Sequence, residues 1–595
     1  MEQKHVIILG GGVAGMSAAH ELIERGYKVT VFERQEKLPG GKARSVPVPG
    51  TGTAATPPLP GEHGFRFFPG FYRHLFDTLR RIPFYNETTG AYQAAGVFDN
   101  LVECPQVMLA RMQGESISTP THFPRTLAEL RQIIHNLKHI DTGLKPGEGR
   151  VIAEKVWQLF TSCRQRRENE YESLGWRVFA DAHLYSEAYN NLFVDGLTGA
   201  LVAGKAELAN TRTNGGILIQ MLLDFIRPFR TSDRILNAPT NEAWLFPWLE
   251  YLRKQGVVYH FGHTVETLLC DRERIRGVVV TDGEQVRQEH RADYYICALP
   301  VERAARLVSS PGLLALDPNL ENILKLKDAV AWMNGLQFYL KRDVPISSGH
   351  IILPDTPWAL TAISQAQFWK GIDLSTYGKG NVKGVLSVII SNWTKEGILV
   401  GKKAESCSKE EVVQEVWAQL KACFNRPGRS VLFDDDFASV YVADSIYFTE
   451  EEFRKGFVDS PNRSGPARYG SSTQTRNDEP LLVNEKNSWG IRNESYTAIP
   501  NLFLASDYIR TNTNLATMEG ANEAARRAVN NILDASGVQV PYCRVWKLKE
   551  PRWLGWYKWL DRRRYEQGLP WKLHKPWFTG LLARLLRAMG ITLFN

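Results

Sequence analysis

The clearest hydrophobic pattern opens the chain. Val6-Ile7-Ile8-Leu9 is a continuous apolar run of strand length with glycines directly after it, and it reads as a strand buried on both faces. From Val13 the apolar positions change to helical spacing, which predicts a helix over Val13–Arg25 with Gly26 as its stop. Tyr27–Phe32 is a second strand, closed by Glu33. Further β-rich runs occur at Val257-Val258-Tyr259-His260, Ile275–Val280 and Ala292–Pro300. Near the far end, Asn501–Asp507 reads as a strand, and a helix opens at Thr517 and runs to about Leu533. Ser408 and Glu411 form a capping box ahead of Val412, Val413, Val416, Trp417 and Leu420, an amphipathic helix. Two stretches lack any period: 46–60 is rich in Pro, Gly and Thr, and 459–480 in Ser, Asn, Pro and Gly. Both are expected as loops, the second on the surface. The alternation of strand and helix marks an α/β protein that begins with a Rossmann-type unit.

The first turn carries recognisable chemistry. Gly10-Gly11-Gly12-Val13-Ala14-Gly15 joins the first strand to the first helix. Gly10 permits a tight turn, Gly12 leaves room for a pyrophosphate, and Gly15 lets the helix pack close to the strand. The helix N-terminus then offers unpaired N–H groups to the phosphates. Glu33, about 20 residues on, stands where a carboxylate meets ribose hydroxyls. This motif alone does not separate NAD from FAD.

The residues that follow do. Leu38-Pro39-Gly40-Gly41-Lys42-Ala43-Arg44 resembles the glycine doublet and arginine of the flavin amine oxidase and phytoene desaturase superfamily. In that superfamily the doublet passes close to the cofactor and the arginine lies near flavin and phosphates, so Gly40, Gly41 and Arg44, with the neighbouring Arg34 and Lys42, are the implied contacts. Ala505-Ser506-Asp507 and Thr517-Met518-Glu519-Gly520 resemble the superfamily's C-terminal motif. By that resemblance Asp507 binds the ribityl chain, and the helix start at Thr517 and Met518 faces the flavin O2 edge, where a helix N-terminus stabilises negative charge. Ser506 departs from the glycine usual there. Val265 is similar to the valine whose backbone approaches the adenine. Gly61-Glu62-His63-Gly64-Phe65-Arg66-Phe67-Phe68 lies where carotenoid desaturases carry an acid, histidine and aromatic run. The resemblance therefore makes Glu62, His63 and Arg66 the candidate catalytic residues beside an apolar tunnel. A buried strand whose charges satisfy one another is the competing reading.

The expected organisation is a discontinuous FAD-binding domain from 1–85, 240–305 and 490–540. An inserted α+β substrate domain fills 86–239 and 306–489, and a tail covers 541–595. Charge adds one point to this picture: the net +8 belongs to the tail, which holds 12 Lys/Arg and 3 Asp/Glu, and 1–540 is close to neutral. The tail also holds six of the 16 tryptophans. Trp553, Trp556, Tyr557 and Leu560 recur at one-face helical spacing before Arg562-Arg563-Arg564, and Leu581, Leu582, Leu585, Leu586 and Met589 make a second stripe. Tryptophan with cationic side chains favours the headgroup level of a bilayer, so a peripheral, cytoplasmic-side membrane attachment is expected, with packing on the body as the alternative. No run reaches the roughly 18–20 apolar residues of a membrane span. A basic tail without a reading motif does not point to nucleic acid. The seven scattered cysteines show no metal-ligand spacing, and no metal is expected.

The resemblance implies hydride transfer from an apolar isoprenoid, carotenoid or other lipid-like substrate to the flavin of bound FAD, as in a desaturase. A quinone or oxygen would be the electron acceptor. A flavin-dependent isomerase without net redox is the near alternative. A flavin amine oxidase would need two aromatics flanking the flavin, for which Tyr508 and Trp489 are available. A non-catalytic lipid escort would be expected to have lost the cofactor contacts.

Overall fold

A computed structural model of the chain describes residues 3–87, 89–124, 142–196, 208–226, 231–449 and 475–574, together with Glu129, Glu451 and Glu452. Its organising element is a five-stranded parallel sheet drawn from three distant stretches. The strands are β1 (His5–Leu9), β2 (Lys28–Phe32), β3 (Val258–His260), β4 (Tyr294–Cys297) and β5 (Leu502–Leu504), in the spatial order β3-β2-β1-β4-β5. Central β1 is apolar from Val6 to Leu9 for a reason: Val6 and Ile8 enter one core with Val29 and Val31, whereas Ile7 and Leu9 enter another with Tyr295 and Cys297. Leu9 aligns with Cys297, and Cys297 with Leu504, so the residues following β1, β4 and β5 emerge along one edge. Ligands of open α/β sheets bind outside that edge.

Helix α1 (Val13–Ile23) follows β1. It ends two residues short of the expected Arg25, and Gly26 makes the turn at φ 81°. Helix α2 (His74–Arg81) lies further along the chain. Beyond the parallel sheet stands a seven-stranded mixed sheet, in the order Phe437–Val442, Asn334–Leu340, Gly384–Ile390, Leu360–Ser364, Gly349–Leu353, Gln106–Leu109 and Ile117–Pro120. Helix α3 (Lys409–Phe424) carries the capping box: Ser408 Oγ accepts from Glu411 N, and Glu411 accepts from Ser408 N. Its Val412, Val416 and Leu420 share a core with Phe338 and Leu386 of the sheet. Helix α4 (Met518–Ser536) starts as expected at Thr517, whose Oγ1 accepts from Gly520 N at 3.1 Å.

Two expectations need correction. Residues 459–474 lie outside the described residues, but 475–480 are not a surface loop: Thr475, Asn477 and Glu479 are buried, and Arg476–Asn477 is a short strand. The tail does not present its aromatic stripe as one face. Helix α5 (Gly555–Glu566) is oriented by buried Asp561, which pairs with Arg166 at 3.0 Å and accepts from Cys163 N at 2.8 Å. Tyr557 and Trp553 meet Trp157 at 5.2 and 6.2 Å, although Trp553 stays 54% exposed; Trp556 and Trp559, 62% and 41% exposed, stack on each other at 5.0 Å. The segment 541–574 is thus anchored on the helical layer, and the second stripe, 581–589, lies outside the described residues. No helix among the described residues is long and apolar enough to cross a membrane.

Candidate functional site

A cavity of about 600 Å³ runs along the strand-end edge, a size suited to a cofactor and substrate. Its first wall is backbone. Gly10 turns at φ 102°, outside the range an L side chain adopts readily. A Cβ on Gly15 would come to 1.9 Å from the Gly10 carbonyl oxygen, so Gly15 is required by packing and is not itself in the wall. Gly12 is the opposite case, because a Cβ there would meet nothing closer than 3.9 Å and would project into free space. It also leaves the first-turn N–H groups of α1 without a side-chain cap. Open space beside uncapped N–H groups fits a dinucleotide pyrophosphate. Gly40 and Gly41 both have positive φ, and Gly40 N donates to Gly11 O at 3.0 Å, so the doublet closes on the first glycine turn.

Glu33 lines the same wall, its carboxylate oriented by Gly11 N at 2.8 Å and Gln35 N at 2.9 Å. A requirement that spacing did not reveal is Gly11: the Tyr259 hydroxyl donates to its carbonyl at 2.6 Å, and a Cβ there would collide with that hydroxyl. Val265, Asp507, Thr517 and Met518 complete the wall, so residues about 500 positions apart in sequence face one space. Burial pushes the Asp507 carboxyl above its ordinary range, with Lys42 opposing. These residues fit FAD. The adenosine half would fall to Glu33 and Val265, the diphosphate to the α1 N-terminus, and the other end to Asp507 and the α4 N-terminus.

The second wall consists of side chains and was only partly anticipated. Arg34 pairs with Asp478 at 3.0 Å, Lys42 with Glu302 at 3.0 Å, and Arg44 with Glu479 at 2.7 Å. Arg34 and Lys42 line the cavity. Arg44 does not: its guanidinium is buried behind the wall, donating to Gly41 O at 3.0 Å as well as to Glu479. Burial would raise the Glu479 carboxyl, but Arg44, His63 and Arg34 override it and hold it well below the carboxylate range. Asp478 and Glu479 escaped sequence reading because they end a polar stretch. The signal available was two acids and a proline ahead of the apolar Leu481-Leu482-Val483.

The three proposed catalytic residues separate. Glu62 is turned away from the cavity and accepts from Thr240 N at 2.9 Å and Thr240 Oγ1 at 2.8 Å, a buried anchor of the kind the competing reading foresaw. Arg66 lines the cavity and donates to the carbonyls of Lys42 and Ala43, both at 3.1 Å. His63 also lines it and keeps Nε2 without a hydrogen-bond partner. Burial lowers His63 to about 3, although Glu479, 3.6 Å from Nδ1, opposes this, so the imidazole is neutral at physiological pH. Met333, Ile389 and Leu481 supply apolar surface beside it. Among the described residues, Phe32, next to Glu33, is the phenylalanine, tyrosine or tryptophan that lines the cavity, because Tyr508 is buried in the core and Trp489 packs under Arg212 at 3.8 Å. Away from the cavity, Cys104, Asp233 and His350 bring potential ligand atoms within 4.8 Å of one another, a grouping invisible in the sequence because its members are so far apart.

Comparison with known proteins agrees with this geometry. A family model described as flavin containing amine oxidoreductase matches residues 13–533. The carotenoid phi-ring synthase of Streptomyces griseus is 32% identical over 132 residues, 21% of this chain and 25% of that protein. The zeta-carotene-forming phytoene desaturase of Myxococcus xanthus is 23% identical over 359 residues, 58% of this chain and 61% of that protein. The matched stretches thus span less than two thirds of either relative. Among solved structures, a putrescine oxidase bound to putrescine has a TM-score of 0.54 at 13% identity, covering 89% of this chain and 99% of that one, and this likeness is one of fold.

Proposed function

We propose that this chain, which belongs to the flavin-containing amine oxidoreductase family, is an FAD-dependent oxidoreductase that removes hydrogen from an apolar, isoprenoid-like substrate. The observation that carries this reading is the composition of the second wall: Met333, Ile389 and Leu481 beside a neutral His63 whose Nε2 has no hydrogen-bond partner, with no aromatic pair among its described residues. An amine oxidase would be expected to hold its substrate between aromatics, and Tyr508 and Trp489 are both committed elsewhere. FAD, when bound, supplies the hydride acceptor. The chain supplies orientation and electrostatics. The α4 N-terminus lines the same space as Asp507, a favourable place for negative charge. Of Glu62, His63 and Arg66, His63 has the buried nitrogen without a partner, which makes it the group able to position the substrate or exchange a proton through Nε2.

The same reading assigns the exposed Trp556 and Trp559, with Arg562 and Arg563, to contact with the membrane that would store such a substrate. A quinone or oxygen would reoxidise the cofactor. The test is anaerobic mixing of the flavin-loaded protein with carotenoid precursors in vesicles and, separately, with primary amines. Bleaching of the flavin band by the hydrocarbons alone is expected. Bleaching by amines alone would replace this reading with the amine oxidase. Conversion of the hydrocarbon without any bleaching would replace it with the isomerase.

A further inference from the structure

Cys104, Asp233 and His350 come from three distant stretches whose backbones are held together independently of the side chains. The strands Leu101–Glu103 and Arg234–Leu236 pair antiparallel with Glu103 opposite Arg234, so Cys104 and Asp233 adjoin matched strand ends, and Cys104 N donates to Asp233 O at 3.1 Å. His350 belongs to Gly349–Leu353 of the mixed sheet. Its strand passes close because Gly349 has no side chain: a Cβ there would come to 1.9 Å from Gln106 O and 3.1 Å from Cys104 Cβ. Positions fixed by strands in this way suit a site that must be formed before its ligand arrives.

The three side chains are at most 4% exposed, and their polar atoms are incompletely satisfied. His350 Nδ1 and Asp233 Oδ2 share a hydrogen bond, but Asp233 Oδ1 and His350 Nε2 are buried without a hydrogen-bond partner. Leaving such atoms unsatisfied is costly. Phe65 and Phe67 pack on the imidazole with ring centroids 4.9 and 4.8 Å away, and Cys104 shares an apolar core with Ile235 and Ile363. Arg234 is close enough for its charge to act on both Cys104 and Asp233. Its guanidinium, however, is directed at Glu103, at 3.1 Å, and at the Thr231 carbonyl, at 3.3 Å.

We infer that Cys104, Asp233 and His350 form a binding site for a zinc ion. The donor set selects the metal, because thiolate and imidazole suit zinc, whereas magnesium and calcium take oxygen ligands. One thiolate and one carboxylate carry two negative charges, which a divalent cation neutralises where water is excluded. Donor atoms within 4.8 Å of one another are drawn closer by bonds of about 2.0–2.3 Å to a single ion, and three protein ligands leave the fourth tetrahedral position for water. Zinc has no redox chemistry, so its part is structural. It ties the strand pair and the mixed sheet to Phe65 and Phe67, the neighbours of cavity-lining Arg66.

The test uses the full, tag-free chain loaded with FAD, stripped with a chelator and dialysed against zinc chloride. Zinc per chain, measured by plasma mass spectrometry, should approach one in wild type. Cys104→Ser and His350→Gln should each keep their flavin and weaken zinc binding by more than the about 10–100-fold that loss of an outer-shell partner costs. Cys270→Ser, at the cysteine that is not fully buried, should bind zinc like wild type. If either ligand variant fails to fold, X-ray absorption by the zinc-loaded wild type decides, and one sulfur at about 2.3 Å beside nitrogen and oxygen neighbours is expected. A zinc shell without sulfur overturns the inference. So does a wild type that takes up no zinc, a folded ligand variant that binds it equally well, or a loss in Cys270→Ser that matches the loss in Cys104→Ser.

Discussion

The two walls of the main cavity are built on different physics. The wall lined by Gly10, Gly12, Gly40-Gly41 and the α4 start, with Gly15 packed behind it, acts through backbone: turns at positive φ, close approaches that exclude a Cβ, and helix N–H groups left open. The opposite wall acts through charged side chains that must neutralise one another out of water, Arg34 and Arg44 against Asp478 and Glu479. Backbone requirements leave a mark on local sequence, since only glycine meets them. Charge pairing across hundreds of residues leaves none.

That contrast makes the side-chain wall the more fragile under single substitution. Glu479→Gln leaves the buried Arg44 guanidinium with the Gly41 carbonyl and, for charge, the longer contact to the exposed Asp444, at 3.3 Å. A loss of about 3–5 kcal/mol is expected from denaturant unfolding, the range for stranding one partner of a buried pair. If the variant unfolds like wild type, the wall is not held by that pair. In the backbone wall, Gly15→Ala forces a Cβ onto the Gly10 carbonyl, and a loss of about 1–3 kcal/mol is expected by the same measurement.

His63 sharpens the comparison through pH. Its pKa is depressed to about 3 in the folded chain from an ordinary 6.5. The unfolded chain therefore binds the extra proton first as pH falls. The stability His63 contributes is complete above about pH 6.5 and is lost on the way down to about pH 3, at a limiting slope of about 1.4 kcal/mol per pH unit. His63→Gln should flatten the stability profile across that window and leave it unchanged at pH 8. A profile parallel to wild type from pH 6.5 to 4 would mean that the imidazole is not buried neutral. The smallest effect is expected at the tail: Trp556→Ser with Trp559→Ser should change stability by less than about 0.5 kcal/mol, because both rings are exposed. The same pair should reduce recovery with anionic vesicles, and undiminished recovery would remove the tail from the membrane account.

What the sequence revealed follows the same division. The β1 run, the α1 start, the Ser408 capping box and the Thr517 cap are all set by neighbours within a few residues, and each stands where its pattern indicated. Glu62 was misassigned because its partner, Thr240, lies 178 residues away, and nothing near Glu62 distinguishes an anchor from an acid catalyst. The orientation of α5 depends on Asp561 meeting Arg166 across 395 residues. Helical spacing located the apolar stripe of the tail, but this single buried charge decided which part of it faces the body.

The central claim is that the glycine wall holds the dinucleotide of FAD, and Gly12 tests it most directly. Its φ of −71° suits any residue, and its Cβ would make no contact closer than Gly41 Cα at 3.9 Å, so Gly12→Val should fold normally and obstruct the cofactor. Flavin per chain, read from the visible spectrum of the purified protein, is predicted to be close to one in wild type and close to zero in Gly12→Val at unchanged thermal stability of the cofactor-free forms. A colourless wild type that FAD cannot reconstitute, or a valine variant that retains its flavin, would contradict the account.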